Sequence, residues 1–389
     1  MVVVGQFFIS HNLLVATMKA ASGKVSAFLL AVLMATISFS ASISSWDFEV
    51  LESKSSMDTI SSNSTTNIFV GHATTIPTGL TGNSSSGTYE VNSEIEGMRF
   101  TSESIDGKGK LAISQSGICF IQDYGDLYCY GTTNGYGQLG TGSTSAPTYP
   151  QLVNLGIGRT AVSVSFDSIG SHGCAILDNG QLKCWGSNFE GQVGIGTSGY
   201  NSDVLRPTSI DLGIGRTVVS VSLGSGHTCA ILDNGQLKCW GSNYDGQLGI
   251  GSTVGSSTPQ AVDLGFGRTA ISVSSGQYHT CAILDDYTLS CWGSNYAGQL
   301  GLGSSSSGFV TPQQVPLMFG RTVESISSGG SNSCLIYDNG DLYCWGANNQ
   351  GQLGIGSTTN QNTPQLVNLG IGRTAKSVTL SGYHTCAIL

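Results

Sequence analysis

The sequence predicts an all-β fold, a β-propeller of four-stranded blades, from three observations. A unit of 52–55 residues recurs along the chain, each unit holds short strand-like segments separated by turn formers, and all but the last carry two cysteines ten positions apart. The repetition is close to verbatim. CAILDNGQLKCWGSN stands at Cys174–Asn188 and again at Cys229–Asn243.

The leading cysteines are Cys119, Cys174, Cys229, Cys281, Cys334 and Cys386, at intervals of 55, 55, 52, 53 and 52 residues. In the third unit four segments read as strands: SIDLG (Ser209–Gly213), TVVSVS (Thr217–Ser222), HTCAIL (His227–Leu232) and QLKCWG (Gln236–Gly241). Turn-rich GIGR, GSG, DNG and SNYDGQLGIGS separate them, and no window keeps a helical period. Four strands in such a unit make one blade. A blade cannot bury both faces alone, so blades stack side by side. The chain reads as five full hairpins and half a sixth, that is, five and a half to six blades over 105–389.

The hairpin HTCAILDNGQLKCW has an internal register. Pairing Cys229 with Cys239 centres the turn on Asn234, leaving Asp233, Asn234 and Gly235 as a three-residue loop with Gly in the left-handed region. Ile231 then faces Leu237, Ala230 faces Lys238, and the two cysteines meet at a non-hydrogen-bonded site, where Cα atoms come closest. The same spacing relates Cys119 to Cys129, Cys174 to Cys184, Cys281 to Cys291 and Cys334 to Cys344, so five cross-strand disulfides are expected. Zinc is the rival reading, but a closed site needs four converging ligands. No metal and no cofactor is expected. Cys386 lacks a partner ten residues on, because the chain stops at Leu389; the expectation is a chain cut short in mid-hairpin, monomeric when complete.

Composition narrows the function classes. Charged residues are only 10% of the chain and the net charge is −9, which speaks against a nucleic-acid partner, since phosphate binding needs clustered Lys and Arg. Lys19 and Lys24 precede an apolar stretch, Val25–Phe39, and then small residues, the pattern of a secretory signal over 1–45, with Met18 as an alternative start. The apolar core is shorter than the roughly 20 residues of a bilayer span, so a membrane contact through an uncleaved anchor is the lesser alternative. Residues 46–104 read as a Ser/Thr/Asn-rich stalk with strands near Thr88–Phe100 and glycosylation sequons at Asn63 and Asn83. An extracellular or cell-surface location follows.

CWGSNYDGQLGIGS at Cys239–Ser252, with SVSSGQYHTCAIL at Ser272–Leu284, resembles the regulator of chromosome condensation repeat. The resemblance covers about Ser104–Leu389 and implies a seven-bladed propeller, here of a secreted, cysteine-rich type. Three places depart from the pattern: Tyr130 replaces the repeat Trp, Tyr287 replaces the turn Gly of the fourth hairpin, and Asn332 replaces the repeat His. The nuclear exchange activity of the family is not expected of an exported, acidic, disulfide-bonded chain.

Framework readings outweigh chemical ones at the repeated positions. His172, His227, His279 and His384 are expected to bond within their own blades, and Trp185, Trp240, Trp292 and Trp345 to fill the core between blades. Arg159, Arg216, Arg268, Arg321 and Arg373 are read as links to a neighbouring blade. Asp178, Asp233, Asp285 and Asp338 are turn formers. GQLGIG lacks the order of a dinucleotide-binding loop, and DNGQLKCW resembles a sialidase Asp-box only loosely. No catalytic residue is nominated. The expected function is a non-catalytic scaffold binding a protein or glycan through the non-repeating loops Gly140–Pro150, Thr197–Pro207 and Ser304–Thr311, with Tyr200, Asp203, Arg206 and Phe309 as candidate contacts. The alternative is a secreted enzyme inhibitor or a glycan-active enzyme on the same scaffold.

Overall fold

The computed structural model describes residues 110–167 and 169–389, together with five short strands upstream. The chain divides into two compact units, Met1–Glu103 and Ser104–Leu389. In the first, Val2–Ile9 pairs with Asn12–Lys19, and Leu80–Gly82, Thr88–Val91 and Arg99–Thr101 form a three-stranded sheet. The signal-like Val25–Phe39 and both sequons lie outside the described residues. Among the described residues no helix is long and apolar enough to cross a membrane.

The second unit is a series of antiparallel blades. Five four-stranded sheets span 111–152, 161–209, 218–261, 270–314 and 323–366, followed by a two-stranded sheet, Ser377–Leu380 with Thr385–Ile388. In the third blade the order is Val218–Leu223, His227–Leu232, Leu237–Gly241 and Ser256–Ala261; these are strands A to D. The A strands of successive blades pack against one another, so A is innermost and D is the outer edge. Backbone N–H groups of Ser275 and Ser328 reach Ser222 and Ser274 Oγ of the preceding A strands, both at 2.8 Å.

Antiparallel order gives each blade two ends. The A–B turns and the long C–D loops share one, the loop end. The B–C hairpin turns and the D–A connections share the other, the turn end.

The hairpin register is the one its turn chemistry dictates. Ile231 faces Leu237, Ala230 faces Lys238 and Cys229 faces Cys239; Leu232 N–H donates to Gln236 at 2.9 Å and Gly235 has φ +76°. Disulfides join Cys119 to Cys129, Cys174 to Cys184, Cys229 to Cys239, Cys281 to Cys291 and Cys334 to Cys344, each with a Cα–Cα distance of 4.1 Å. All ten of these cysteines are fully buried. Cys129, Cys184, Cys239, Cys291 and Cys344 lie on the C strands, directly opposite their B-strand partners. Tyr287 adopts the same left-handed turn, at φ +62°, without the glycine that takes it freely. Cys386 is a free thiol that burial pushes upward in pKa.

The fourth strand corrects the sequence reading. SIDLG is not a strand, and the outer strand instead precedes it, at Val204–Ser209. Pro207, Pro259, Pro312 and Pro364 sit within the outer strands and make those segments look like loop. An edge strand tolerates Pro because one row of its N–H groups has no ladder to join.

Candidate functional site

Each seam between blades is built from one set of side chains. Trp240 is fully buried among Cys174, Ile176, Leu182 and Val193 of the preceding blade, and its indole N–H donates to the Gln192 carbonyl at 2.9 Å. Trp185, Trp292 and Trp345 repeat this with Gln138, Gln247 and Gln299. The glycine two residues after each Gln lies against the indole: a Cβ on Gly194 would stand 2.5 Å from Trp240 Nε1. Such rings bury roughly 150–250 Å² each. Tyr130, at the Trp position of the first blade, is also buried, and burial pushes its hydroxyl pKa up to about 12.

The histidines also bridge blades, which corrects the expectation that they bond within their own. His172 Nε2 meets Thr228 Oγ1 at 2.9 Å, His227 meets Thr280 at 3.0 Å, and His279 meets Ser333 at 2.9 Å. Those hydroxyls donate to the same Gln192, Gln247 and Gln299 carbonyls. Having given away its proton, the hydroxyl must accept, so each imidazole carries its proton on Nε2. Nδ1 of all three is buried without a hydrogen bond, and that of His172 lies 3.8 Å from the buried Asp167 carboxylate. Desolvation lowers the pKa of His227 to about 3 and of His279 to about 4, so both are neutral at pH 7. His384 is exposed.

Two further contacts complete the seam. Backbone N–H groups of Gly142, Gly196, Gly251 and Gly303 donate to Leu205, Ser257, Val310 and Asn362 on the D strand of the following blade, at 2.8–2.9 Å. Asn134, Asn188, Asn243, Asn295 and Asn348 are buried, and each carboxamide oxygen accepts from the backbone five residues on while its nitrogen donates across the C–D loop. The Asn and Gln roles escaped the sequence reading, although the recurrence of N-x-x-G-Q was their signal.

The arginines stay within a blade, which corrects the neighbouring-blade reading. Arg159, Arg216, Arg268 and Arg321 pair with the hairpin-turn carboxylates Asp178, Asp233, Asp285 and Asp338 at 3.2–3.5 Å. Arg268 also reaches Asp286 at 2.8 Å. Each pair ties the connection entering a blade to the hairpin turn of that blade.

The candidate loop residues do not form one site. Tyr200 is 88% exposed and meets Phe189 edge to face at 4.9 Å. Asp203 accepts the Asn188 backbone N–H at 3.2 Å and so closes its own loop. Arg206 lies on the outer strand with its guanidinium over Gly142 of the preceding blade. Phe309 starts an outer strand and packs against the core, so it is not a free contact residue.

What the loop end does present is aromatic. Tyr244 and Tyr296, at equivalent positions of neighbouring C–D loops, are 74% and 72% exposed, and Phe189 holds that position one blade earlier. The Glu190 carboxylate beside Tyr244 raises its pKa by charge and by accepting a hydrogen bond. At the loop end of the first two blades, a hollow of about 610 Å³ is lined by Ser116, Thr132, Thr133, Asn134, Tyr136 and Ser171. Asp167, Ser171 and His172 cluster there, but Ser171 Oγ donates directly to Asp167 Oδ2 at 2.7 Å. No imidazole stands between hydroxyl and carboxylate, so the cluster is a turn staple rather than a triad.

Fold and seams together define a repeat propeller with interlocked blades and an aromatic loop end. The RCC1-like domain family matches residues 70–387, and the chain belongs to that family. The match begins inside the segment read as a stalk. The ultraviolet-B receptor UVR8 of Arabidopsis thaliana is 27% identical over 296 residues, covering 76% of this chain and 64% of the receptor. The human E3 ubiquitin-protein ligase HERC2 is 28% identical over 282 residues, 72% of this chain and 6% of the ligase. The chain therefore spans under two thirds of these relatives. Among solved structures, yeast RCC1 (Prp20) bound to Kap60 superposes with a TM-score of 0.60 at 19% identity, covering 72% of this chain and 67% of that one. Human WBSCR16 gives 0.53 at 20% identity over 75% and 88%. These two share the fold.

Proposed function

We propose that this chain is an exported, non-catalytic propeller scaffold that binds a protein or glycan through its loop end. The observation that carries the reading is the run of exposed aromatics, Phe189, Tyr200, Tyr244 and Tyr296, on rigid loops. Tyr offers a large apolar face and a polar tip at low entropic cost, which suits both kinds of ligand. The hydroxyl-lined hollow beside Tyr136 adds hydrogen-bonding groups without net charge.

Export is supported by the signal-like segment in 1–45 and by five disulfides, which persist in oxidising compartments. RCC1-like propellers bind proteins, and the yeast RCC1 structure is a complex with Kap60.

The test is a glycan array and an ectodomain array probed with the purified chain and with a variant combining Tyr200→Ala, Tyr244→Ala and Tyr296→Ala. The expected result is a discrete ligand whose binding falls at least about tenfold in a variant of unchanged thermal stability. Equal binding by both proteins, or turnover in a hydrolase screen that survives purification, overturns the reading.

A further inference from the structure

The turn end carries a second surface. Each D–A connection makes a tight turn whose corner residue is large, apolar and fully exposed: Ile157, Ile214, Phe266, Phe319 and Ile371. The turns are rigid. Gly158, Gly215, Gly267, Gly320 and Gly372 follow the corners in the left-handed region, and the side chains of Asn154, Asp211, Asp263 and Asn368 accept the backbone N–H two residues on at 2.9–3.0 Å.

Nothing in the fold asks for an apolar corner. The five glycines that follow the corners face open space, so a polar corner would fit as well and would be better solvated. Copying alone does not account for it either. Where the connection has diverged, as in LMFGRT at 317–322 against LGIGRT at 155–160, Ile has become Phe and the preceding Gly has become Met318, also exposed. The residue changes and the apolar character stays. Single exposed apolar residues need no explanation, but five at one position on one end of consecutive blades do.

We infer that this end is a lipid-docking face, with the five apolar corners inserted into the interface of a bilayer. Two observations select a lipid surface over a protein. The corners recur with the repeat, and a laterally uniform surface accepts every equivalent corner alike, whereas a folded protein would have to repeat in step. The adjacent guanidinium groups of Arg159, Arg216, Arg268 and Arg321 are paired with turn carboxylates. Arg373 beside Ile371 is set against Asp211 and Asp263 on two of the other connections, so the face is apolar with no cationic cluster, suited to zwitterionic headgroups. Tyr124 and Tyr287 are exposed on hairpin turns at the same end, as amphipathic rings are where a protein meets headgroups. The loop end, with its Tyr residues, is left pointing away from the membrane.

The test is co-sedimentation of the full chain with phosphatidylcholine vesicles, without and with anionic lipid, at low and high salt. The wild type is expected to bind phosphatidylcholine with little dependence on salt or anionic lipid. Changing all five corners to Ser should abolish binding while thermal stability stays unchanged. Phe266→Ser or Phe319→Ser alone should weaken it about tenfold, and Ile214→Trp should strengthen it. Failure of the wild type to bind, or full binding by the five-Ser variant, overturns the inference. A requirement for anionic lipid overturns it as well. So does self-association of the wild type, lost in the five-Ser variant, because it assigns the face to a second copy.

Discussion

His227 on the third blade donates from Nε2 to Thr280 Oγ1 on the fourth, at 3.0 Å, and Thr280 passes its own proton to the Gln247 carbonyl at 2.9 Å. The Trp292 indole donates to the same carbonyl. All four groups are buried. The seam is thus a short polar chain sealed inside an apolar contact, where an unpaired donor is costly.

Thr280→Val keeps the shape and removes the acceptor for His227. The expected loss is about 1–3 kcal/mol of unfolding free energy, read as a lower urea midpoint with an unchanged slope. Ser333→Ala should act alike at the next seam, where His279 is the donor.

Acid should weaken the fold through the same histidines. Their folded-state pKa values, about 3 for His227 and about 4 for His279, lie below the unfolded value of about 6.5. Below pH 6.5 the unfolded chain therefore binds more protons, and stability falls as pH drops. The slope is about 1.4 kcal/mol per pH unit for each histidine until its folded pKa is reached. Urea titrations at pH 7 and pH 5 measure it. His227→Asn, which copies Asn332 of the fifth blade, should flatten the profile by one histidine's share.

Tyr287 offers a stabilising change. It holds φ +62° in a turn where four other hairpins place Gly125, Gly180, Gly235 or Gly340. Tyr287→Gly should raise stability by about 1 kcal/mol by releasing left-handed strain, visible as a higher melting temperature. Gly194→Ala is the opposite case. Its φ is +89° and the new Cβ would press on Trp240, so a loss of about 2–4 kcal/mol is expected.

The disulfides are tested by intact mass under non-reducing conditions, which should register all five bonds and one free thiol. Replacing Cys229 and Cys239 together by Ala should cost about 2–3 kcal/mol on the chain-entropy account. Eleven free thiols in folded protein would contradict the pairing.

What could be read from the sequence was what is local. A ten-residue cysteine spacing and a DNG turn fix one register, because a slip of one residue puts the thiols on opposite faces. The strain at Tyr287 follows from the same reasoning. Contacts between blades were hidden, since His227 and Thr280 are 53 positions apart and no short pattern couples them. Pro in the outer strands disguised them as loops, which is how Phe309 came to be read as a free contact. The apolar corners at Ile157 and its equivalents were in plain view in the repeat, but only the structure shows that nothing packs on them.

The third and fourth repeats carry both halves of the seams they make: His227 and Gln247, and His279 and Gln299, toward the blade that follows; Thr228 and Trp240, and Thr280 and Trp292, toward the blade before. A copied segment is therefore born compatible with its parent on both sides, and such an architecture can lengthen by gene duplication with no new fitting of surfaces. A change at one seam position, by contrast, leaves the facing half on the next copy unmatched. Word-for-word repetition is what that asymmetry rewards: growth by whole modules is easy, and drift within a module is held back by its neighbour.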